Sequence, residues 1–140
     1  MHLVCPHCFA TNNVPAERLG DQPKCGKCKQ PVLDGHPVAL NGGNFDAFLT
    51  RNELPVVVDF WAPWCGPCRS FAPVYEQTAA RLATRFRFAK LDTEAEQQLA
   101  ARFNIRSIPT LAVFRQGQEL QRIAGALPGP QLLQWLDQIG

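Results

Sequence analysis

The sequence predicts an α/β fold with a mixed β-sheet, preceded by a small cysteine-rich module. From about residue 37, strand and helix patterns alternate and are followed by a hairpin and a terminal helix, the order of a sheet flanked by helices. The run Val56–Trp61 is almost continuously apolar, which indicates a strand covered on both faces. Residues 1–36 contain four of the six cysteines but too little apolar sequence for a core of their own. We therefore expect two units, residues 1–36 and residues 37–140.

The cysteines of residues 1–36 form two Cys-x-x-Cys pairs, with residues 9–24 between them. This spacing is typical of a four-cysteine zinc site, in which each pair offers two thiolates to one ion. Structural zinc contributes about 10–16 kcal/mol to the folding of finger peptides, enough to stabilise so short a segment. The sequence therefore predicts one zinc ion bound by Cys5, Cys8, Cys25 and Cys28.

Two other uses of these four cysteines stay open. A pair of structural disulfides would require an oxidising compartment, for which nothing in the sequence argues. A second redox pair is the other possibility, because Cys-Pro-His-Cys also occurs in strongly oxidising proteins. Only four residues precede Cys5, however, too few for a strand that would present this pair at a helix N-terminus.

Charge and hydropathy argue against nucleic-acid and membrane partners. The formal net charge is +2, and a zinc ion on four thiolates adds −4 + 2 = −2, which leaves about zero. A nucleic-acid-binding zinc ribbon usually carries a stronger basic face. No apolar stretch approaches the roughly 20 residues of a membrane span, and the first residues lack the pattern of a signal peptide. We expect a cytosolic monomer that binds neither nucleic acid nor membrane.

Apolar periodicity and turn residues place the elements of the second unit. Asn44 suits the N-cap of the first helix, and the Gln116-Gly117 pair suits a hairpin turn. Pro128 and Pro130 suit the first turn of the last helix, where a missing N–H has no helical partner. We predict strands at residues 38–40, 56–61, 86–91, 111–114 and 119–124, and helices at 44–50, at 69–83 directly after the second cysteine, at 94–103, and from 128 to the C-terminus.

Two cysteines follow the central strand at the predicted N-terminus of the second helix. Backbone N–H groups and the helix dipole stabilise a thiolate there, so we expect Cys65 to have a lowered pKa and to act as the nucleophile. Cys68 lies about one turn further on, where it can displace a partner from a mixed disulfide. The alternative is half of a metal site, but no second ligand pair lies nearby in the sequence.

The stretch V-D-F-W-A-P-W-C-G-P-C resembles the thioredoxin family, and the resemblance runs from about Pro37 to the C-terminus. The whole chain is similar to the zinc-containing bacterial thioredoxins, in which a four-cysteine module precedes a complete thioredoxin domain. The resemblance implies the thioredoxin fold and protein-disulfide reduction through Cys65 and Cys68. It also implies regeneration by an NADPH-dependent thioredoxin reductase. Because the chain has no dinucleotide or flavin fingerprint, we expect no bound redox cofactor.

A carboxylate interrupts the otherwise apolar central strand. Burial would raise the pKa of Asp59 into a range that suits proton exchange near neutral pH. The resemblance implies that Asp59 accepts the proton of Cys68 through water, with Lys90 beside it. A structural Asp59–Lys90 pair without a catalytic role is the alternative.

The resemblance also implies a substrate groove around the cysteines. It places a cis peptide bond before Pro109, so that Ile108 offers backbone groups to an extended substrate segment. For Trp64 the alternative is packing in the core, and for Gly125 it is an ordinary turn. The implied groove consists of Trp64, Gly66, Pro67, Ile108, Pro109 and Gly125.

Two further classes of function stay open beside a reductase. Oxidation of zinc-bound thiolates could release the metal and switch the protein into a holdase that binds unfolded partners. Alternatively, the cysteine-rich module could dock one protein or nucleic acid, with disulfide reduction incidental. Pro63, Arg69 and Ser107 depart from the residues common in the family, which leaves partner preference open.

Overall fold

A computed structural model describes all residues, 1–140. A mixed five-stranded sheet has the strand order β3-β5-β4-β6-β7, in which β3, β4 and β5 are parallel and β6 runs antiparallel to both of its neighbours, β4 and β7. The predicted mixed sheet is thus confirmed. The strands are β1 (His2–Val4), β2 (Thr11–Asn13), β3 (Val38–Ala39), β4 (Val56–Trp61), β5 (Arg87–Asp92), β6 (Thr110–Arg115) and β7 (Gln118–Ala124).

Helices cover both faces of this sheet. They are α1 (Phe45–Arg51), α2 (Gly66–Arg81), α3 (Gln97–Arg102) and α4 (Gly129–Ile139). Because side chains alternate along a strand, Val56, Val58 and Phe60 of β4 join the core beneath α1 and α3, whereas Val57 joins the core beneath α2 and α4. The apolar run of β4 is therefore covered on both sides, as predicted.

Local polar contacts explain two differences from the predicted elements. α3 begins at Gln97 rather than at residue 94, because the Asp92 carboxylate accepts hydrogen bonds from the backbone N–H groups of Glu94 and Ala95 (2.9 and 3.2 Å) and holds a turn there. Asn44 does occupy the N-cap of α1, but its side chain accepts from the N–H of Asn41 (2.8 Å) instead of from the helix.

The first unit contains secondary structure that the sequence did not predict. β1 and β2 form an antiparallel hairpin, and Ala16–Asp21 is a 3₁₀ helix. A short strand therefore does precede Cys5, contrary to expectation, but a turn rather than a helix follows it. The hairpin was missed because its strands have only three residues each, too few to show a period.

The cysteine-rich module packs against the ends of β4 and β5 that lie farthest from the Cys-Gly-Pro-Cys motif. Leu3, Val14 and Val32 form an apolar cluster with Leu54, which directly precedes β4. A β-strand rises about 3.3 Å per residue, so the six residues of β4 place the module roughly 20 Å from the motif at the other end. The module and the redox motif thus occupy opposite ends of the sheet. No helix in the structure is long and apolar enough to cross a membrane.

Candidate redox site and metal centre

Cys65 and Cys68 lie at the carboxyl end of β4, where the chain turns into α2. They form a disulfide, with their Cα atoms 5.2 Å apart. Cys65 is the N-cap of α2, and its sulfur accepts a hydrogen bond from the backbone N–H of Cys68 (3.2 Å). This is the bond that a serine hydroxyl makes at many helix N-termini. When the disulfide is reduced, the same N–H and the helix dipole favour a thiolate on Cys65.

The two sulfurs differ in their surroundings. Cys65 Sγ lies 3.8 Å from the carbonyl oxygen of Ile108, and Cys65 is 5% exposed, next to the exposed Trp64. Cys68 packs inward and is one of the residues around a cavity of about 50 Å³ behind the motif. The other residues around the cavity are Pro37, Asp59, Trp61, Ala72, Tyr75, Glu76 and Lys90.

Asp59 is a buried carboxylate at this cavity. It is 5% exposed, and its Oδ1 atom has no hydrogen-bond partner in the protein. Burial raises the pKa of Asp59 from 3.8 to about 7, and the positive charge of Lys90 only partly opposes this rise. A carboxyl group with that pKa can both accept and release a proton near neutral pH.

Lys90 does not form an ion pair with Asp59. The two residues are register partners on β5 and β4, but no nitrogen–oxygen distance between them falls within 4 Å. The Lys90 ammonium instead lies 5.2 Å from the centre of the Trp61 ring, a cation–π contact. The Asp59–Lys90 pair considered from the sequence is therefore not in direct contact, although the charge of Lys90 still acts on Asp59.

Tyr75 is a residue of this cavity that the sequence analysis missed. It is buried, and its hydroxyl lies 2.6 Å from the carbonyl oxygen of Ala89 and 3.0 Å from that of Val57, so it bridges β5 and β4. Burial, together with the nearby Asp59 carboxylate, raises the pKa of Tyr75 well above its ordinary value. The helical spacing of the sequence gives no signal for the contacts of its hydroxyl.

Several of the residues implied for the substrate groove lie beside the disulfide: Ile108 packs against Cys65 and Cys68, and Trp64, Gly66 and Pro67 are their neighbours in the chain. The Ile108–Pro109 peptide bond is cis, as the resemblance implies. Trp64 is 66% exposed, so the core-packing alternative for this tryptophan is wrong. Gly66 and Pro67 begin α2, and the Arg69 guanidinium donates to the carbonyl oxygen of Pro63 (2.9 Å), which braces the loop between β4 and α2.

Gly125 has a backbone conformation that requires glycine. Its φ is +107°, outside the range that other residues adopt readily, and its N–H donates to the carbonyl oxygen of Pro109 (2.8 Å). A Cβ atom at this position would meet nothing within 4 Å. The backbone conformation therefore explains the glycine, and the space beside it stays open to a partner.

The four cysteines of residues 1–36 converge on one point. Their sulfur atoms all lie within 4.8 Å of one another, with 3.5 Å between Cys5 and Cys28 and 3.6 Å between Cys8 and Cys25. Zinc–sulfur bonds of about 2.3 Å in a tetrahedron place sulfurs roughly 3.8 Å apart, close to these separations. None of the four forms a disulfide. The structure thus contradicts the alternative of two structural disulfides.

The two Cys-x-x-Cys turns have the same backbone geometry. The N–H of Phe9 donates to Cys5 O and that of Lys29 to Cys25 O (3.0 and 2.9 Å), and both donating residues have positive φ, 62° and 67°. Non-glycine residues rarely adopt such a φ unless the surrounding structure holds them there. The repeated conformation indicates two matched metal-binding turns.

Hydrogen-bond donors surround the sulfurs as they would surround thiolates. Cys5 Sγ accepts from the N–H groups of His7 and Cys8 (3.4 and 3.5 Å). Cys25 Sγ accepts from the side-chain amide of Asn12 and from the backbone N–H of Lys27 (both 3.4 Å). Four convergent sulfurs with N–H donors fit a zinc ion bound by thiolates.

Comparison with known proteins identifies the second unit. A family model described as Thioredoxin matches residues 36–138. The chain belongs to the thioredoxin family. A second family model, described as Thioredoxin 2, N-terminal, matches residues 4–30, which contain all four convergent cysteines.

Individual relatives agree with this assignment. Thioredoxin C-3 of Corynebacterium nephridii is 48% identical over 138 residues, 99% of this chain and 94% of that protein. The chloroplastic M-type thioredoxin of Chlamydomonas reinhardtii is 35% identical over 127 residues, 89% of this chain and 91% of that protein. A mutant thioredoxin from Halobacterium salinarum superimposes with a TM-score of 0.68 at 30% identity, over 74% of this chain and 90% of that one.

The thioredoxin fold and a thioredoxin-type oxidoreductase activity therefore follow for this chain, with the Cys-Gly-Pro-Cys disulfide as its redox-active centre. The matching N-terminal family model and the convergent sulfurs together support a zinc-binding module.

Proposed function

We propose that the protein is a cytosolic protein-disulfide reductase in which Cys65 is the nucleophile and Cys68 the resolving thiol. The asymmetry of the two sulfurs supports this assignment more than any other observation. Cys65 is the helix N-cap beside the exposed rim, whereas Cys68 faces the cavity that contains Asp59. A four-thiolate site also requires a compartment that keeps cysteines reduced, as the cytosol does.

The reaction transfers two electrons to the substrate. The Cys65 thiolate attacks one sulfur of a substrate disulfide, so that a Cys65–substrate bond forms and the second substrate sulfur leaves as a thiolate. Cys68 then loses its proton to Asp59 and attacks Cys65 Sγ. This step breaks the mixed disulfide, releases the fully reduced substrate and forms the Cys65–Cys68 disulfide.

Asp59 and Lys90 serve the second step. With a pKa of about 7, the Asp59 carboxylate can take the Cys68 proton and later return it when the disulfide is reduced again. The cavity of about 50 Å³ is large enough for a water molecule to carry that proton. Lys90 contributes a positive charge that favours the carboxylate form of Asp59.

The exposed rim binds the substrate. An extended substrate segment pairs with the backbone of Ile108, beside the Cys65 sulfur, and passes over Pro109 and Gly125. Trp64, Gly66 and Pro67 form the opposite wall. Because backbone hydrogen bonds depend little on the side chains of the substrate, the groove suits many protein substrates.

The protein receives its electrons from an NADPH-dependent thioredoxin reductase. With this reductase and NADPH, we expect catalytic amounts of the protein to reduce insulin disulfides, measured as NADPH oxidation at 340 nm. The control omits the protein and leaves the reductase and insulin in place. Stoichiometric rather than catalytic NADPH oxidation would contradict a reductase that turns over.

We further propose that Cys5, Cys8, Cys25 and Cys28 bind one structural zinc ion in a module of residues 1–36, attached to a monomeric thioredoxin domain of residues 37–140. The ion would hold the two matched turns together and so preserve the apolar cluster around Leu54. The roughly 20 Å between the module and the disulfide supports a structural ion that takes no part in electron transfer.

Metal analysis of the purified protein is expected to give one zinc per chain. Cys5→Ser should weaken zinc binding by more than about 100-fold, beyond the effect of losing an outer partner of a ligand. Insulin reduction should decrease but persist, because the disulfide lies at the other end of the sheet. Cys68→Ser is the matched control and should retain its zinc. Equal zinc content in Cys5→Ser and wild type would contradict the site.

A further inference from the structure

A buried arginine joins the cysteine-rich module to the thioredoxin domain. Arg87, the first residue of β5, is 4% exposed. Its guanidinium donates to the carbonyl oxygens of Val4 (2.9 Å) and Val32 (3.0 Å) and to the Asn52 side chain (2.6 Å). It also lies 5.0 Å from the centre of the Phe48 ring. One side chain of the sheet thus contacts both ends of the module.

These contacts fix the backbone next to the metal-binding turns. Val4 immediately precedes Cys5; its carbonyl accepts from Arg87, and its N–H donates to Asn52 (2.8 Å). Asn52 is itself buried, and its amide donates to Phe48 O (2.8 Å). Val32 follows Cys28 by four residues. The thioredoxin domain therefore positions the chain where it enters the first turn and where it leaves the second.

The charge of Arg87 has no carboxylate in direct contact. No Asp or Glu oxygen lies within 4 Å of its guanidinium, and its three hydrogen-bond acceptors are neutral. Burial lowers the pKa of Arg87 to about 10, and the negative charges of Asp34 and Cys5 partly oppose this fall, so the side chain remains charged at neutral pH. A buried charge is destabilising unless negative groups nearby offset it. Asp34 supplies one such charge, and the cysteine cluster would supply more, because zinc with four thiolates carries −4 + 2 = −2.

We propose that Arg87 is a positioning residue of the metal centre: its guanidinium holds the backbone on both sides of the two turns and offsets the negative charge of the zinc–thiolate cluster. Zinc affinity then depends on a residue of the sheet, outside the module. The proposal rests on the zinc site proposed above.

Competition with a chromophoric zinc chelator tests whether Arg87 supports zinc binding in the full-length protein. Arg87→Gln removes the charge and most of the donors, and we expect zinc affinity to fall about 10- to 100-fold, the range for outer partners of metal ligands. Arg87→Lys keeps the charge but cannot bridge the two carbonyls, so its affinity should lie between those of wild type and Arg87→Gln. Arg85→Gln is the matched control: Arg85 is an exposed residue paired with Asp137 (3.0 Å), and its loss should leave zinc affinity within about twofold of wild type.

Thermal unfolding with zinc and with excess chelator separates this role from ordinary packing. If Arg87 belongs to the metal centre, the rise in Tm caused by zinc should be smaller in the Arg87 variants than in wild type. An equal loss of Tm with and without zinc, together with unchanged zinc affinity, would overturn the proposal. If Arg87→Gln does not fold, Arg87→Lys alone tests the proposal. A zinc affinity of Arg87→Lys equal to that of wild type would then overturn the proposal. Wild-type protein that binds no zinc would instead refute the metal site itself.

Discussion

Replacing Cys65 by serine is expected to abolish insulin reduction, whereas replacing Cys68 by serine should stop the reaction after its first step. Serine at position 65 cannot form the thiolate that the Cys68 N–H and the N-terminus of α2 stabilise. Turnover in the reductase-coupled assay should therefore fall to the rate without added protein. Both variants remove the disulfide but leave the zinc cysteines unchanged.

Cys68→Ser should still attack a substrate disulfide through Cys65. Because no resolving thiol remains, the Cys65–substrate disulfide should accumulate and appear on a non-reducing gel as a covalent adduct that dithiothreitol removes. Cys65→Ser should form little or no such adduct, since Cys68 is 2% exposed and faces the cavity beside Asp59. Adducts in Cys65→Ser but not in Cys68→Ser would reverse the proposed roles, and turnover by either variant would contradict the dithiol mechanism.

Asp59→Asn is expected to stabilise the protein at alkaline pH. A pKa raised from 3.8 to about 7 means that burying the ionised Asp59 carboxylate costs about 4 kcal/mol. The folded protein binds the proton more tightly than the unfolded chain, so this group lowers the free energy of unfolding as pH rises from about 4 to about 7. Below pH 4 both states are protonated and the cost is absent; above pH 7 it is complete. The variant should therefore gain up to about 4 kcal/mol at pH 8 and little at pH 4.

Urea unfolding at pH 4 and pH 8 measures this difference. Asp46→Asn is a suitable control, because Asp46 is exposed and pairs with Arg102 at 3.1 Å. That exposed pair should contribute less than about 1 kcal/mol at either pH. A gain for Asp59→Asn that is the same at both pH values would show that the buried carboxylate does not have the raised pKa.

The same substitution should slow resolution of the mixed disulfide. Without a proton acceptor beside Cys68, we expect the second step to slow by up to roughly 100-fold, the lower end of what general base catalysis contributes. In wild type, the rate of this step should increase with pH through about 7 as Asp59 becomes ionised, and the variant should lack that increase. Stopped-flow tryptophan fluorescence can follow the step, since Trp61 and Trp64 flank the disulfide.

Several conclusions were available from the sequence because they depend on residues close together in the chain. The double-sided burial of β4 follows from its unbroken apolar side chains, and the placement of Cys65 at a helix N-terminus follows from the strand and helix patterns on either side. The four zinc cysteines could be grouped from their spacing. In each case a short-range pattern limits the backbone conformation to very few possibilities.

Other features depend on which distant segments meet, and only the tertiary structure decides that. In the sequence nothing distinguishes Tyr75 from other residues of its helix, yet in the structure its hydroxyl joins β4 to β5 beside Asp59. Lys90 is directly opposite Asp59 in the sheet but turns its ammonium toward Trp61. Rotamer choice inside a packed core determines both contacts, and no period in the sequence reports it.

The docking of the cysteine-rich module shows the same division. From the sequence, Arg87 is merely a polar residue at the start of a strand, and nothing predicts that it is buried. Its partners, Val4, Val32 and Asn52, lie 83, 55 and 35 residues away in the chain. The sequence alone indicates which four cysteines bind a metal ion and which two form the redox pair, because the two members of each Cys-x-x-Cys pair are close together in the chain. Only the tertiary structure shows that the sheet also holds the four metal-binding cysteines in place. The buried charge of Arg87 is hydrogen-bonded only because folding brings distant backbone groups together around it.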